Sequence, residues 1–289
     1  MMPRRRAARV QIEKVRGEEI QRKQDAVAVE EPLEIRLAFA AAGQQSGQSI
    51  SITMRTPGDD FELAAGFLFS EGIIQSGNDI QEIRYCMGSQ KEMQEYNVVT
   101  VQLRSGLQFN SERLLRHFYT TSSCGVCGKA SLEALQIRGC PVLPRDRPII
   151  SAKIIHQLPQ KLKEAQAIFK ATGGLHAAGL FDSSGDLITL REDVGRHNAV
   201  DKLIGERLLA KKIPLHEHLM IVSGRASFEI LQKTLMAGIP MVAAVGAPSS
   251  LGIDLAREFG MTLLGFVREK SFNIYAGPQR VRFADSSTT

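Results

Sequence analysis

Two thiols set two residues apart, in Cys124-Gly125-Val126-Cys127-Gly128, carry the strongest chemical signal in this 289-residue chain. At that spacing each sulfur is within reach of the other, so the pair can exchange a disulfide, bind a soft metal or pass a sulfane sulfur between them. Gly125 and Gly128 offer no side-chain packing and let the backbone approach a partner closely, which suits delivery. Lys129 and a helix starting near Ala130 would favour the thiolate through positive charge and the helix dipole. A structural zinc knuckle is the plainer alternative. It needs four N or S ligands, and with a single Cys-x-x-Cys the set would have to be completed from Cys86, Cys140, His117 and His156. Cys86 and Cys140 each read as core fillers instead. A Walker A loop is excluded, because Ser123 stands where the first glycine is required and Ala130 where a hydroxyl should bind magnesium.

A second group of candidates lies further along, in Gly173 to Asp182 and Arg191 to Leu203. His176 falls in a strand-like stretch. Arg196, His197 and Asn198 fall at the expected start of a helix, where free N–H groups and a positive dipole can meet an anion. Asp193 reads as a helix cap. Two strand-to-helix loops, Ser223-Gly-Arg225-Ala-Ser227 and Gly246-Ala-Pro-Ser-Ser250, combine small residues with hydroxyls and suit phosphate or ribose, with Arg225 as a bidentate clamp. The stretch Phe266-Val267-Arg268-Glu269-Lys270-Ser271 adds two cations at another strand end. Ordinary serine caps and a solvated loop are the competing readings of these segments.

The elements that must position these residues follow from periodicity. Residues 1–25 are charged, and they read as a flexible basic arm. Alternation at Leu33 to Phe39 and at Ile50, Ile52 and Met54 predicts two antiparallel half-buried strands. Asp59 and Glu62 resemble a capping box, followed by a helix with Phe61, Ala64, Ala65, Leu68 and Phe69 on one face up to Gly72. Strands are expected at 80–86 and 96–103 and a short helix at 111–118, which places the cysteine pair in a loop. Three prolines between Arg138 and Pro148 mark a boundary. Beyond it the pattern predicts a helix over 151–171, bent at Pro159, a hairpin of 175–181 and 187–193, and then alternating helices and strands to 266. The resulting division is an arm (1–25), an N-terminal α+β subdomain (26–148), an α/β domain with a mixed sheet and flanking helices (149–283) and a tail (284–289).

Composition narrows the function classes. Apolar residues make up 43% and charged residues 23%, as in ordinary soluble proteins. Of 36 Lys/Arg and 31 Asp/Glu, residues 1–23 hold eight and three, which leaves 28 of each and a neutral body. With no Trp either, nucleic acid is not expected as a partner. No apolar run reaches the roughly 18–20 residues of a membrane span, and Gln11, Glu13, Lys14 and Arg16 stand where a signal peptide needs apolar residues. A cytoplasmic, reducing location is the expectation.

Through SSCGVCG, TGGLHAAGLFD, EDVGRHNAVDKLIG, SGRASFE and GAPSSL, in that order, residues 26–283 resemble the FdhD family of formate dehydrogenase accessory sulfurtransferases. The resemblance implies a cytidine deaminase-like fold and a sulfur relay. A cysteine desulfurase would hand sulfur to Cys124 as a persulfide, with Cys127 assisting. The carrier would then sulfurate the molybdenum or tungsten bis-guanine-dinucleotide cofactor of formate dehydrogenase. Phe266 to Ser271 matches the family's cofactor-binding stretch, a guanine nucleotide diphosphate would mimic the cofactor, and a homodimer would match its two arms. Deaminase chemistry itself is not expected, because His197-Asn-Ala and Ser223-Gly-Arg-Ala replace the zinc-binding motifs. A zinc-stabilised adaptor or cofactor-binding chaperone is the alternative function.

Overall fold

The structure is a computed structural model that describes residues 5–41, 44–86, 96–105 and 140–283. The chain opens with β1 (Ala7–Arg16) and β2 (Glu19–Ala28), continues through β3 (Glu31–Ala41), β4 (Gln44–Arg55) and α1 (Asp60–Ser70), and adds β5 (Ile80–Tyr85) and β6 (Val98–Leu103). After the short β7 (Ile150–Ser151) come α2 (Ala152–Ala165), α3 (Ala167–Thr172), β8 (His176–Phe181), β9 (Leu187–Asp193) and α4 (Arg196–Leu209). β10 (Leu219–Val222), α5 (Phe228–Met236), β11 (Met241–Ala244), α6 (Ser250–Glu258), β12 (Thr262–Gly265), β13 (Asn273–Ala276) and β14 (Val281–Arg282) complete it.

Two sheets organise the molecule. The larger has the order β13-β12-β11-β10-β8-β9, parallel across β10, β11 and β12 and antiparallel at both flanks. Its three parallel strands are buried at every position, as strands covered on both faces must be. The smaller has the order β4-β3-β6-β5. Between the sheets lies one continuous core, in which Leu33, Ile35, Val99 and Val101 meet α1 on one side and Val200, Leu203, Leu231 and Leu235 of α4 and α5 on the other. A second cluster, with Ile155, Leu158 and Leu162 of α2, covers the opposite face of the large sheet. The mixed α/β class is therefore as expected, with β13 an additional edge strand.

Five local expectations are corrected. The arm expected at 1–25 holds a hairpin: β1 and β2 pair from Ala7 with Ala28 to Arg16 with Glu19, about a turn in which Gly17 takes φ +59°. Its alternation at Ala8, Val10 and Ile12 is diluted by charged neighbours, and its base is held by Arg6 on Asp59 (2.9 Å). In β4, Ile52 and Met54 are exposed rather than inward, because a bulge opposite Ile35 and Arg36 reverses the faces beyond Ile50. Asp59 forms no side-chain cap on α1, since its carboxylate is engaged by Arg6. The helix of 151–171 continues through Pro159 but is two helices, broken at Gln166, where the Glu192 carboxylate accepts the N–H groups of Ile168 (3.0 Å) and Phe169 (2.8 Å) and so starts α3 afresh. Cys86 is exposed rather than a core filler, whereas Cys140 packs at the core margin with Sγ 3.6 Å from Met236 Sδ.

The backbones of α1 and α4 come into direct contact in the core. A Cβ on Gly66 would lie 1.9 Å from the Asp201 carbonyl oxygen, and one on Gly205 would lie 1.8 Å from that of Glu62. Only glycine permits this backbone contact.

Candidate functional site

Because β8 runs antiparallel to β10, the start of β8 and the ends of β10, β11 and β12 share one edge of the large sheet. The loops on that edge are joined through their main chains. Gly246 N–H donates to Gly224 O (2.9 Å), Ala226 N–H to Ala247 O (3.1 Å), Ser249 N–H to Ala226 O (3.0 Å) and Phe266 N–H to Gly246 O (3.1 Å). This rim is the carboxyl edge at which open α/β sheets bind ligands.

The rim carries two arginines, Arg196 and Arg225, with histidines and hydroxyls among them. A Cβ at Gly224 would sit 3.3 Å from His176 Nδ1 and 3.6 Å from Arg196 Cδ, so ring and guanidinium stem flank that glycine. Burial, with help from the charges of Arg196 and His197, pushes the His176 pKa below its usual value and favours the neutral ring. Arg196 Nε is buried without a hydrogen-bond partner among the described residues. His197 Nε2 stands 3.4 Å from Ser227 Oγ and 3.8 Å from Glu229 Oε2, bridging the starts of α4 and α5. His197 and, more weakly, Ser227 hold the Glu229 carboxyl down at about 2, against the opposing effect of burial. Arg225 is exposed, and Ser223 Oγ accepts the Ala177 N–H (2.9 Å), which ties the loop to β8 and leaves the hydroxyl proton free to donate. The α4 start has neither a side-chain cap nor an acidic residue in its first turn, so its dipole is not offset from within the helix.

Thus Arg196, His197, Ser223 and Arg225 come together as the loop positions implied. Ser227, the hydroxyl at the end of the same expected loop, joins them at His197, and so does Glu229, which the sequence did not single out although a carboxylate at a helix start in SGRASFE was the available signal. Phe266 to Ser271 divides. Phe266 is on the rim, exposed and at φ +52°, a conformation costly for an aromatic residue, of order 1–3 kcal/mol. The Val267 side chain is fully buried in the second core, so only its backbone could meet a ligand. Arg268 Nη1 donates to Val245 O (2.7 Å) and Val267 O (2.8 Å), fixing the loop as well as offering charge. Glu269, Lys270 and Ser271 face α2 across an open cleft.

Behind the rim, the same EDVGRHNAVDKL segment turns its other polar residues inward. Asp193 accepts from Lys202 Nζ (2.7 Å), Thr56 N–H (3.1 Å), Gly195 N–H (2.8 Å) and Asn198 Nδ2 (3.0 Å), so it serves as a buried hub rather than a simple cap. Asn198 Nδ2 and Lys202 Nζ also reach Met54 O and Thr56 O, both at 2.8 Å. Arg55 clamps Asp60 through two 3.0 Å bonds, and Lys233 holds Asp201 at 2.9 Å. For Lys233, burial alone would lower the pKa, and the charges of Asp201 and Glu71 outweigh it, so the net direction is up. These contacts fasten the small sheet and α1 to α4 and α5.

Cys124 and Cys127 lie outside the described residues, as do the helix expected at 111–118 and the tail at 284–289. Among the described residues no group of three or more His, Cys, Asp and Glu is placed to hold a metal ion, and no helix is long and apolar enough to cross a membrane.

Comparison with known proteins gives a consistent result. Residues 28–282 match the model of the FdhD/NarQ family. The chain is 48% identical to the sulfur carrier protein FdhD of Streptomyces coelicolor over 275 residues, covering 94% of this chain and 95% of that one. It is 51% identical to the protein of the same name from Mycolicibacterium paratuberculosis (89% and 92% covered). The protein of that name from Sulfurisphaera tokodaii is 46% identical (94% and 98% covered). In structure it resembles a crystal structure from Desulfotalea psychrophila, described as that of a formate dehydrogenase accessory protein. The TM-score is 0.72 at 25% identity, covering 96% of this chain and 99% of that one.

Proposed function

This chain belongs to the FdhD/NarQ family, and from that premise we propose that it is a sulfur carrier whose reactive group is the Cys124 thiolate. The observation that carries the reading is near-full-length identity of 46–51% to proteins named as sulfur carriers. The Cys124-Gly-Val-Cys127 spacing supports it chemically. In the first step Cys124 attacks the outer sulfur of a persulfide on a cysteine desulfurase. A sulfur–sulfur bond forms to Cys124, the donor's own breaks, and the donor thiolate leaves. In the second, Cys127 attacks Cys124 Sγ and hydrosulfide leaves toward the metal. The resulting disulfide is reset by an external dithiol.

The client is the molybdenum or tungsten bis-guanine-dinucleotide cofactor destined for formate dehydrogenase. The rim is where its phosphates are received: Arg196 and Arg225 supply charge, the uncapped α4 start supplies N–H groups, and neutral His176 can donate or accept at the same spot. A homodimer would offer two such rims to the two dinucleotide arms.

The test is to incubate purified protein with a cysteine desulfurase and cysteine and to read intact mass. Wild type gains one sulfur atom and Cys124→Ala gains none. Restoration of formate dehydrogenase activity in a deletion strain is lost in Cys124→Ala and reduced in Cys127→Ala, with both proteins folded. Stoichiometric zinc in the purified protein together with no persulfide would overturn the carrier in favour of the zinc-stabilised adaptor.

A further inference from the structure

The outer face of α2 carries a feature that neither the rim nor the sulfur chemistry uses. Lys153, Gln157, Gln160 and Lys163 recur at spacings of three or four and form one stripe along the helix. Opposite the stripe, residues 268–271 and 282–283 form a second wall. Two open clefts lie between them. One, of about 650 Å³, is bounded by Lys153, His156, Glu269, Arg282 and Phe283; the other, of about 400 Å³, by Gln160, Lys163, Arg268, Glu269 and Lys270. They share Glu269 and the stripe, so they make one groove. From Lys153 to Lys163 it runs about 15 Å.

Among the described residues five cations line this groove, Lys153, Lys163, Arg268, Lys270 and Arg282, and Glu269 is the one carboxylate. Glu164, beside Lys163, accepts instead from Gln160 Nε2 (2.6 Å). Such a concentration is notable in a chain whose body is electrically neutral. The walls are held in place: His156 Nδ1 bonds Arg268 O (3.0 Å), its ring lies 5.0 Å from that of Phe272, and Arg268 N–H donates to Ser271 O (2.8 Å). At one end Phe283 is 59% exposed, an apolar surface beside the charges.

We propose that this groove docks an acidic, extended segment of a protein partner, of about five residues, with an apolar residue against Phe283. Small ligands favour enclosed pockets with converging backbone donors, whereas this groove is open and lined by charges on long flexible stems. Its length suits a peptide. The docking is independent of the reactive thiol; Arg268 and Lys270 belong also to the stretch that resembles the family's cofactor-binding segment, and competition with pyrophosphate separates the two uses.

The probe is a fluorescent hexapeptide of Glu and Asp ending in Phe, titrated by anisotropy against the full chain. Wild type binds it, binding weakens steeply with added salt, and a Lys-rich peptide of equal length does not bind. Lys163→Glu with Lys270→Glu weakens binding by about tenfold or more, Lys163→Arg preserves it, and Cys124→Ala leaves it unchanged. Circular dichroism checks the fold of each variant; if the double reversal fails to fold, Lys163→Gln alone still weakens binding severalfold. The proposal is overturned if the acidic peptide does not bind, if charge reversal in a folded protein leaves affinity unchanged, or if pyrophosphate or a single-stranded oligonucleotide occupies the groove more tightly than the peptide.

Discussion

The two faces of the segment from Glu192 to Leu203 use similar residues for opposite purposes. Asp193, Asn198 and Lys202 point into the seam between the small sheet and α4, where every charge meets an opposite charge or a carbonyl and exposure falls to 7% or less. Arg196 and His197, on the same helix, point to the rim, where the Arg196 Nε has no partner and His197 is shared between Ser227 and Glu229. Residue type alone does not separate these roles. Satisfaction does: a fully bonded polar group has been assigned to holding the fold, and an incompletely bonded one is available to a ligand.

The strongest way to test this contrast is at the helix contact beneath the seam. Gly205→Ala places a Cβ against the Glu62 carbonyl that neither backbone can accommodate, so soluble folded protein should be lost, read by expression and by thermal unfolding. A wild-type melting curve would break the account of α1 and α4. Next, Lys202→Met leaves the Asp193 carboxylate buried without its ammonium and should cost about 3–5 kcal/mol in denaturant unfolding. Adding Asp193→Leu should return part of that loss, and no recovery would mean the damage lies in packing.

At the rim the expected order reverses. Arg225→Ala should change stability by no more than about 0.5 kcal/mol while weakening binding of guanosine diphosphate severalfold by calorimetry. A large loss of stability would move Arg225 into the structural group. The smallest effect is at Glu229. Its carboxyl is lowered from 4.5 to about 2 in the folded state, so its contribution is present above pH 4.5 and is lost as pH falls toward 2. Glu229→Gln should flatten the stability profile over that window only, by an amount kept small by solvent screening. An unchanged acid limb would remove the His197 contact from the account.

Periodicity made most of the large sheet and its helices legible, because β10 to β12 and α4 to α6 bury continuous or one-sided apolar runs. What escaped depended on partners distant in sequence. The break at Gln166 is made by Glu192, the face reversal in β4 by a bulge against β3, and the ordering of the first strands by their own pairing and by Arg6 on Asp59. The rim was legible where strands end and helices begin. The Asp193 hub was not, since its donor Thr56 is 137 residues away.

The rim loops are stitched to one another mostly by main-chain bonds, from Gly224 to Gly246, Ala226 to Ala247 and Gly246 to Phe266. A cradle held together this way owes little to the side chains it displays. Arg225 or Ser250 could be exchanged across generations while the scaffold kept its shape, so ligand preference at this edge can drift faster than the architecture, and a designer could retune it one position at a time without refolding the protein.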